Sequence, residues 1–175
     1  MSLLIRTVLL ALYLSIFSVS ATATELWQGA QSGQSAEEIL LAFENARPNP
    51  SPDTLNTGAS CDLKIDQLQV ARYSFAVCFF LLDGKLDQVT LSLDSDVVGK
   101  GGHAVFDRVL EALRSKYGEE NDLEKKEGSF LTTSDANWYL GDLNINLLML
   151  FVGDDGDVSV NINYQTRVSQ GAANL

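Results

Sequence analysis

The sequence predicts an α+β protein built as two tandem units, αβββ then αββββ, with the helices packed on one face of antiparallel sheet. Three observations predict it. Apolar residues recur at helical spacing in two segments, around 36–43 and 103–117. Apolar and polar residues alternate with period two in 86–93, 143–151 and 158–166. Turn signals, Asp83-Gly84-Lys85 and Asp154-Asp155-Gly156-Asp157, separate neighbouring strand candidates. The alternative is two sheets that split into separate small domains at 99–102.

Residues 1–23 (MSLLIRTVLLALYLSIFSVSATA) come first and read as an address. One cation, Arg6, precedes an apolar run over 7–17, and Ala21-Thr22-Ala23 has the A-x-A form of a signal-peptidase site. The run is short for a bilayer span, and no stop-transfer segment follows it. A retained membrane anchor is the alternative. No cysteine precedes Cys61, so nothing near the cleavage site could carry a lipid. The expected destination is the periplasm, with units at 24–98 and 99–166 and a loose tail at 167–175.

In the first unit, Ser35 and Glu38 stand at capping-box spacing and open a helix with an Ile39, Leu40, Phe43 stripe. The loop 47–60 holds all three prolines. Strands are expected at 63–68, at 73–82, which is nearly all apolar and hence central, and at 86–93. Gly99-Lys100-Gly101-Gly102 then leads into a second helix at 103–117, with Gly118 as its C-cap. Residues 119–128 read as a charged connector. Four strand candidates follow at 129–133, 136–140, 143–151 and 158–166.

The formal charge is −11, with 23 acidic and 12 basic residues, and loss of the leader makes the chain one unit more acidic. Such a surface repels nucleic acid and anionic headgroups, whose protein affinity comes largely from Lys and Arg. It suits a basic partner, or only solubility. The two cysteines, Cys61 and Cys78, form an even pair that an oxidising compartment would bridge. A hairpin centred near 69–70 sets them opposite each other. Their parity disagrees, however: Cys78 points away from Phe75, Val77 and Phe79, while Cys61 shares phase with Leu63 and Ile65. A β-bulge would reconcile them. Two buried thiols are the alternative.

Trp27-x-Gly29, Gly33-Gln34-Ser35-x-x-Glu38 and the F-x-L-L-D-G-K-L-x-x-V strand pair resemble small periplasmic α/β-meander modules. These include the BamE (SmpA/OmlA) lipoproteins of the outer-membrane assembly machine and the tandem-repeat β-lactamase inhibitory protein. The resemblance implies helices over an antiparallel sheet and non-enzymatic protein binding. It departs from the BamE pattern in lacking a lipidated cysteine.

No catalytic constellation emerges. His103 is the only histidine and reads as a helix-start residue, since no G-x-S-x-G nucleophile motif accompanies it. The glycine-rich run 99–102 lacks phosphate-loop spacing and reads as a connector. The acidic turn 154–157 lacks the downstream Glu of a calcium loop, and one His with two pairing cysteines excludes a zinc site. No cofactor or metal is expected. The candidate site is the outward sheet face: Gln88, Thr90, Ser92, Asn144, Asn146, Ser159, Asn161, Asn163 and Gln165 should point away from the helices, with Leu148 and Leu150 among them. Trp138 or Tyr139 would supply an aromatic anchor. The expected function is protein binding, as inhibitor, assembly factor or immunity-type protein, with another envelope protein as partner. The alternative is binding of a small ligand or an envelope polymer such as a sugar or peptide.

Overall fold

A computed structural model of the chain describes residues 23–94, 101–153, 156 and 158–167. The expected leader, the expected boundary at 98–99, the acidic turn's aspartates and nearly all of the expected tail lie outside the described residues.

Gln28 and Gly29, both at positive φ, fold β1 (Glu25–Trp27) back on β2 (Ala30–Gln31). Leu26, Trp27 and Ala30 are buried. Helix α1 (Ala36–Ala42) begins as its sequence dictates. The Glu38 N–H donates to Ser35 Oγ at 3.3 Å, and the Ser35 N–H donates to Glu38 Oε2 at 2.7 Å. These Ser35 hydrogen bonds hold the Glu38 carboxyl below its ordinary pKa. The helix is only two turns long. It buries Ile39, and just past its end Phe43 stacks on Trp27 with ring centroids 5.7 Å apart. Leu40, expected in the buried stripe, is 37% exposed.

β3 (Arg47–Pro48) borders β4 (Ser60–Val70), which pairs with β5 (Tyr73–Leu82) and through it with β6 (Lys85–Leu93). The register of β4 shifts twice, between Cys61 and Leu63 and between Ile65 and Leu68. Each shift adds one residue to β4 and exchanges its faces. Leu63 and Ile65 thus share the core face with Phe79 and Val77, and Leu68 rejoins it opposite Phe75. Cys61 turns to the other face, beside Cys78. The tip of this hairpin is Ala71-Arg72, both at positive φ (50° and 77°), rather than 69–70.

Helix α2 (Gly101–Tyr117) buries Val105, Phe106, Val109, Leu110 and Leu113. Each such side chain contributes about 1.5–3 kcal/mol when fully buried. Arg114 Nε donates to Glu120 Oε2 at 2.7 Å, and this hydrogen bond holds the Glu120 carboxyl below its ordinary pKa. The strands β7 (Asp122–Glu127), β8 (Leu131–Leu140), β9 (Leu143–Val152) and β10 (Val158–Thr166) follow as an antiparallel meander.

The expected pair of α+β units is not the architecture. β6 pairs with β10 from Gln88↔Gln165 to Ser92↔Asn161. This joins both halves into one eight-stranded antiparallel sheet, ordered β3-β4-β5-β6-β10-β9-β8-β7, with β1–β2 as a separate two-stranded sheet. The protein is mostly β, with only two helices among the described residues. The physical reason is an unpaired edge. β6 and β10 each carry a full row of backbone donors and acceptors and an apolar row, and pairing satisfies both at once. The charged connector is also a strand. β7 has every residue exposed and no apolar period, yet it pairs along its length with β8. The candidates at 129–133 and 136–140 fuse into β8 alone. One apolar core cluster runs under both helices, from Phe75 and Val77 to Leu147 and Met149.

Candidate functional site

Cys61 and Cys78 form a disulfide, with Cα atoms 5.6 Å apart. It lies on the sheet face away from the core. There Phe80 and Ala59 bury themselves against it, and Leu55 of the proline-rich loop packs over them. Asn49 Nδ2 donates to the Cys61 carbonyl at 2.9 Å and fastens that loop down. Among the described residues, no helix is long and apolar enough to cross a membrane.

Beyond that loop no element among the described residues covers the same face over β6, β10, β9 and β8. This face carries a cross-strand row. Thr90, Asn163, Asn146 and Asn137 stand directly opposite one another on four adjacent strands. Opposite residues on neighbouring antiparallel strands have Cβ atoms about 4.5–5.5 Å apart, close enough for short amide side chains to bond. The bonds run in one direction. Thr90 Oγ1 donates to Asn163 Oδ1 at 3.0 Å. Asn163 Nδ2 donates to Asn146 Oδ1 at 3.2 Å, and Asn146 Nδ2 to Asn137 Oδ1 at 3.0 Å. The row ends on the Asp135 carboxylate, which accepts from Asn146 Nδ2 and Asn137 Nδ2, each at 2.7 Å. At the other end Gln88 Nε2 donates to Thr90 Oγ1 at 2.8 Å. Aligned bonds of this kind polarise one another, and the terminal carboxylate strengthens those that reach it.

The expected site residues divide. Asn146 and Asn163 are joined by the row. Asn161 lies one position along β10 from Ile162, opposite Ser92 and Leu148, and donates to Ser159 Oγ at 2.9 Å. Asn144 stands between Tyr139 and Gln165, with its Oδ1 buried and unpartnered among the described residues. Tyr139 is 40% exposed on this face, and the Arg167 guanidinium lies 4.9 Å from its ring centre. Trp138 is not on the face. It is fully buried on the core side, where Nε1 donates to the Gly118 carbonyl at 2.9 Å and closes the C-terminal end of α2. Parity requires this, because neighbours on a strand point opposite ways. Leu148 and Leu150 are half-buried on the open face.

Two members of the row, Asn137 and Asp135, were not among the expected residues. Their signal was the alternation Thr133, Asp135, Asn137, Tyr139 along one continuous strand. Thr132 and Ser134 obscure it by occupying core-side positions as buried polar residues.

Two of the recesses elsewhere are lined by titratable groups. One, of about 600 Å³, is lined by His103, Asp107, Glu127, Ser129 and Phe130 at the start of α2. No group of three or more metal-ligating side chains occurs among the described residues. The second, of about 280 Å³, lies on the helix side between α2 and the β4–β5 hairpin. Tyr164 lines it, and burial, with Tyr117 nearby, holds its hydroxyl well above the ordinary phenol pKa. No protein-family model, curated protein or solved structure matches the chain.

Proposed function

We propose that this chain is a non-catalytic protein-binding module of the bacterial periplasm, and that a folded envelope protein docks on its open sheet face. One observation carries the reading: a four-strand-wide row of internally bonded neutral side chains, one threonine and three asparagines ending on the single Asp135 carboxylate, on a chain that is otherwise strongly acidic. Neutral amides cost less to desolvate than carboxylates. Held by one another, they lose little side-chain freedom on contact. Tyr139 at the margin adds apolar area with a polar tip, the profile of an interface anchor. The A-x-A leader and the disulfide support a periplasmic setting. The resemblance to small periplasmic modules points to the same class of activity.

The test is paired capture from periplasmic extract with the oxidised wild-type protein and with an Asn146→Trp/Asn161→Trp variant of unchanged circular dichroism. A protein retained by the first and lost from the second supports the reading. The same retention on both overturns the sheet-face assignment.

A further inference from the structure

The eight-stranded sheet ends on β7 at one side and, past the two-residue β3, on β4 at the other. The two edges are finished differently. β7 sets Asp122, Glu124, Lys125, Lys126 and Glu127 along its free edge, a usual guard against added strands. β4 is covered only over its first half. Arg47 and Pro48 pair with Lys64 and Leu63, and the Asn49 N–H donates to the Asp62 carbonyl at 2.8 Å. Over residues 65–70 no strand among the described residues lies beyond β4. The register shift between Ile65 and Leu68 interrupts that edge, which leaves 68–70 as a bare run without charges.

The backbone shows what this run offers. Val70 and Tyr73 flank the two-residue tip Ala71-Arg72, and in such a hairpin the flanking pair exchanges hydrogen bonds. The next pair, Gln69 and Ser74, therefore turns its N–H and C=O groups away from each other. Ser74 fixes the phase: its carbonyl accepts from the Asp94 N–H at 2.8 Å, on the β6 side. The Gln69 N–H and C=O point the other way, off the edge of the sheet.

A recess of about 280 Å³ opens at this edge, lined along one side by Leu68, Gln69, Val70 and Ala71. Leu68 and Val70 pack against the core, so the Gln69 side chain lies on the opposite face and the recess meets its main chain. Ala112 and Lys116 of α2 form the far side. A strand edge with unpaired main-chain groups is where an extended peptide adds to a sheet. The floor contributes little apolar area, since Leu91, Leu113 and Ile162 are at most 5% exposed. Binding there rests on main-chain hydrogen bonds and on charge.

The charge at this edge opposes that of the chain, in which acidic residues outnumber basic ones 23 to 12. Lys116 lines the recess, and an adjoining recess that shares Ala71 and Ala112 adds Arg72 and Arg108 against one acid, Glu111. Glu111 is already paired, 3.5 Å from Arg108. Three cations beside a bare strand edge favour a segment that carries carboxylates. A second copy paired edge to edge would set the same cations against each other.

We propose that the free edge of β4 at Gln69 binds an extended acidic peptide segment of a partner protein as an added β-strand, its main chain bonded to Gln69 and its carboxylates toward Arg72 and Lys116. The site uses the edge of the sheet and not the amide row, so it stands or falls separately from the docking face.

The probe is the capped pentapeptide acetyl-Glu-Val-Thr-Val-Glu-amide, titrated by calorimetry into the purified, oxidised protein. It should bind saturably at one site and slow hydrogen exchange at the Gln69 amide. Two altered peptides, one N-methylated at its three central residues and one with lysine in place of both glutamates, should each bind at least about tenfold more weakly. Gln69→Pro removes the outward N–H, spares the β4–β5 ladder and should weaken binding by about the same factor. Gln69→Thr keeps the backbone and changes only a side chain on the other face, so it should leave the affinity within a few-fold. Lys116→Glu should weaken binding about tenfold. The N-methylated peptide makes the same test on the unaltered protein if Gln69→Pro lowers the unfolding midpoint. No saturable binding of the glutamate peptide would overturn the proposal. So would equal binding of the N-methylated peptide or of the lysine peptide, or protection of other amides with none at Gln69.

Discussion

Gly102 decides how closely α2 sits on the sheet, and adding one methyl group there should reverse the usual rule for helical glycines. In an exposed helix interior, Gly→Ala stabilises by about 1 kcal/mol. At Gly102 a Cβ would stand 2.5 Å from Val158 Cγ1, 3.1 Å from its Cγ2 and 3.2 Å from Met149 Sδ. Val158 is β-branched, so its χ1 is restricted and its methyls have little freedom to swing aside. Overpacking of this kind costs about 1–3 kcal/mol. The clash therefore outweighs the propensity gain, and Gly102→Ala should destabilise by about 1 kcal/mol. Val158→Ala removes both offending methyls. In that background the same Gly102→Ala change should stabilise by up to about 1 kcal/mol, giving a coupling near 2 kcal/mol in the double-mutant cycle. Urea unfolding of the four oxidised proteins measures it, with equal m-values certifying that compactness is unchanged. Stabilisation by Gly102→Ala in the wild-type background, or a coupling near zero, would refute the close packing of α2 on β9 and β10.

Three further outcomes are expected. Replacing both cysteines by alanine opens a loop whose ends are 17 residues apart; it should cost about 3 kcal/mol and lower the thermal midpoint by about 6–12 °C, whereas an unchanged midpoint would show that the bond adds nothing. Asn163→Ala interrupts the amide row at its centre and should cost about 1 kcal/mol, with coupling to Asn146→Ala above about 0.5 kcal/mol; strict additivity would mean that the row is a set of independent surface contacts. Glu120, hydrogen-bonded by Arg114, has a depressed carboxyl pKa in the folded state, so its contribution is complete above the ordinary carboxylate range and is lost as pH falls through the folded value. Glu120→Gln should therefore lower stability at neutrality and converge with the wild type as pH falls below about 4.5, which flattens that part of the acid limb; an unaltered acid limb would contradict the pairing.

Residues with strong local signals read correctly in the sequence. Ser35 and Glu38 name the start of α1, the 3.6-residue period names α2, and β5, β9 and β10 are marked by long apolar or alternating rows. What was illegible is non-local. Whether β6 meets β10 depends on edges brought together across roughly seventy intervening residues, and no pattern within either strand records that choice. β7 was hidden for another reason. It is an edge strand with every residue exposed, so its charges serve to discourage further sheet growth and leave no apolar period to detect. The disulfide shows the opposite case. The disagreement in parity between Cys61 and Cys78 required a bulge, and the two-residue step from Cys61 to Leu63, set against the single step from Phe80 to Phe79, supplies it. On the open face, the outward amides of β9 and β10 were legible because those strands alternate cleanly. Asn137 and Asp135 were not, because buried Thr132 and Ser134 make β8 look polar on both sides.

The amide row is the centre of the functional account, and the affinity of the captured partner for two variants tests it most directly. Asn146→Trp/Asn161→Trp alters the face without changing charge. A control charge reversal at Glu37 and Glu44, exposed residues of α1 and the segment just after it, alters the acidic surface and leaves the row intact. If the partner docks on the row, the first variant should weaken binding at least tenfold, about 1.4 kcal/mol or more, while the second variant and moderate added salt change it little. Unchanged affinity in the tryptophan variant, together with loss of binding on charge reversal or in salt, would contradict the account and assign recognition to the acidic surface.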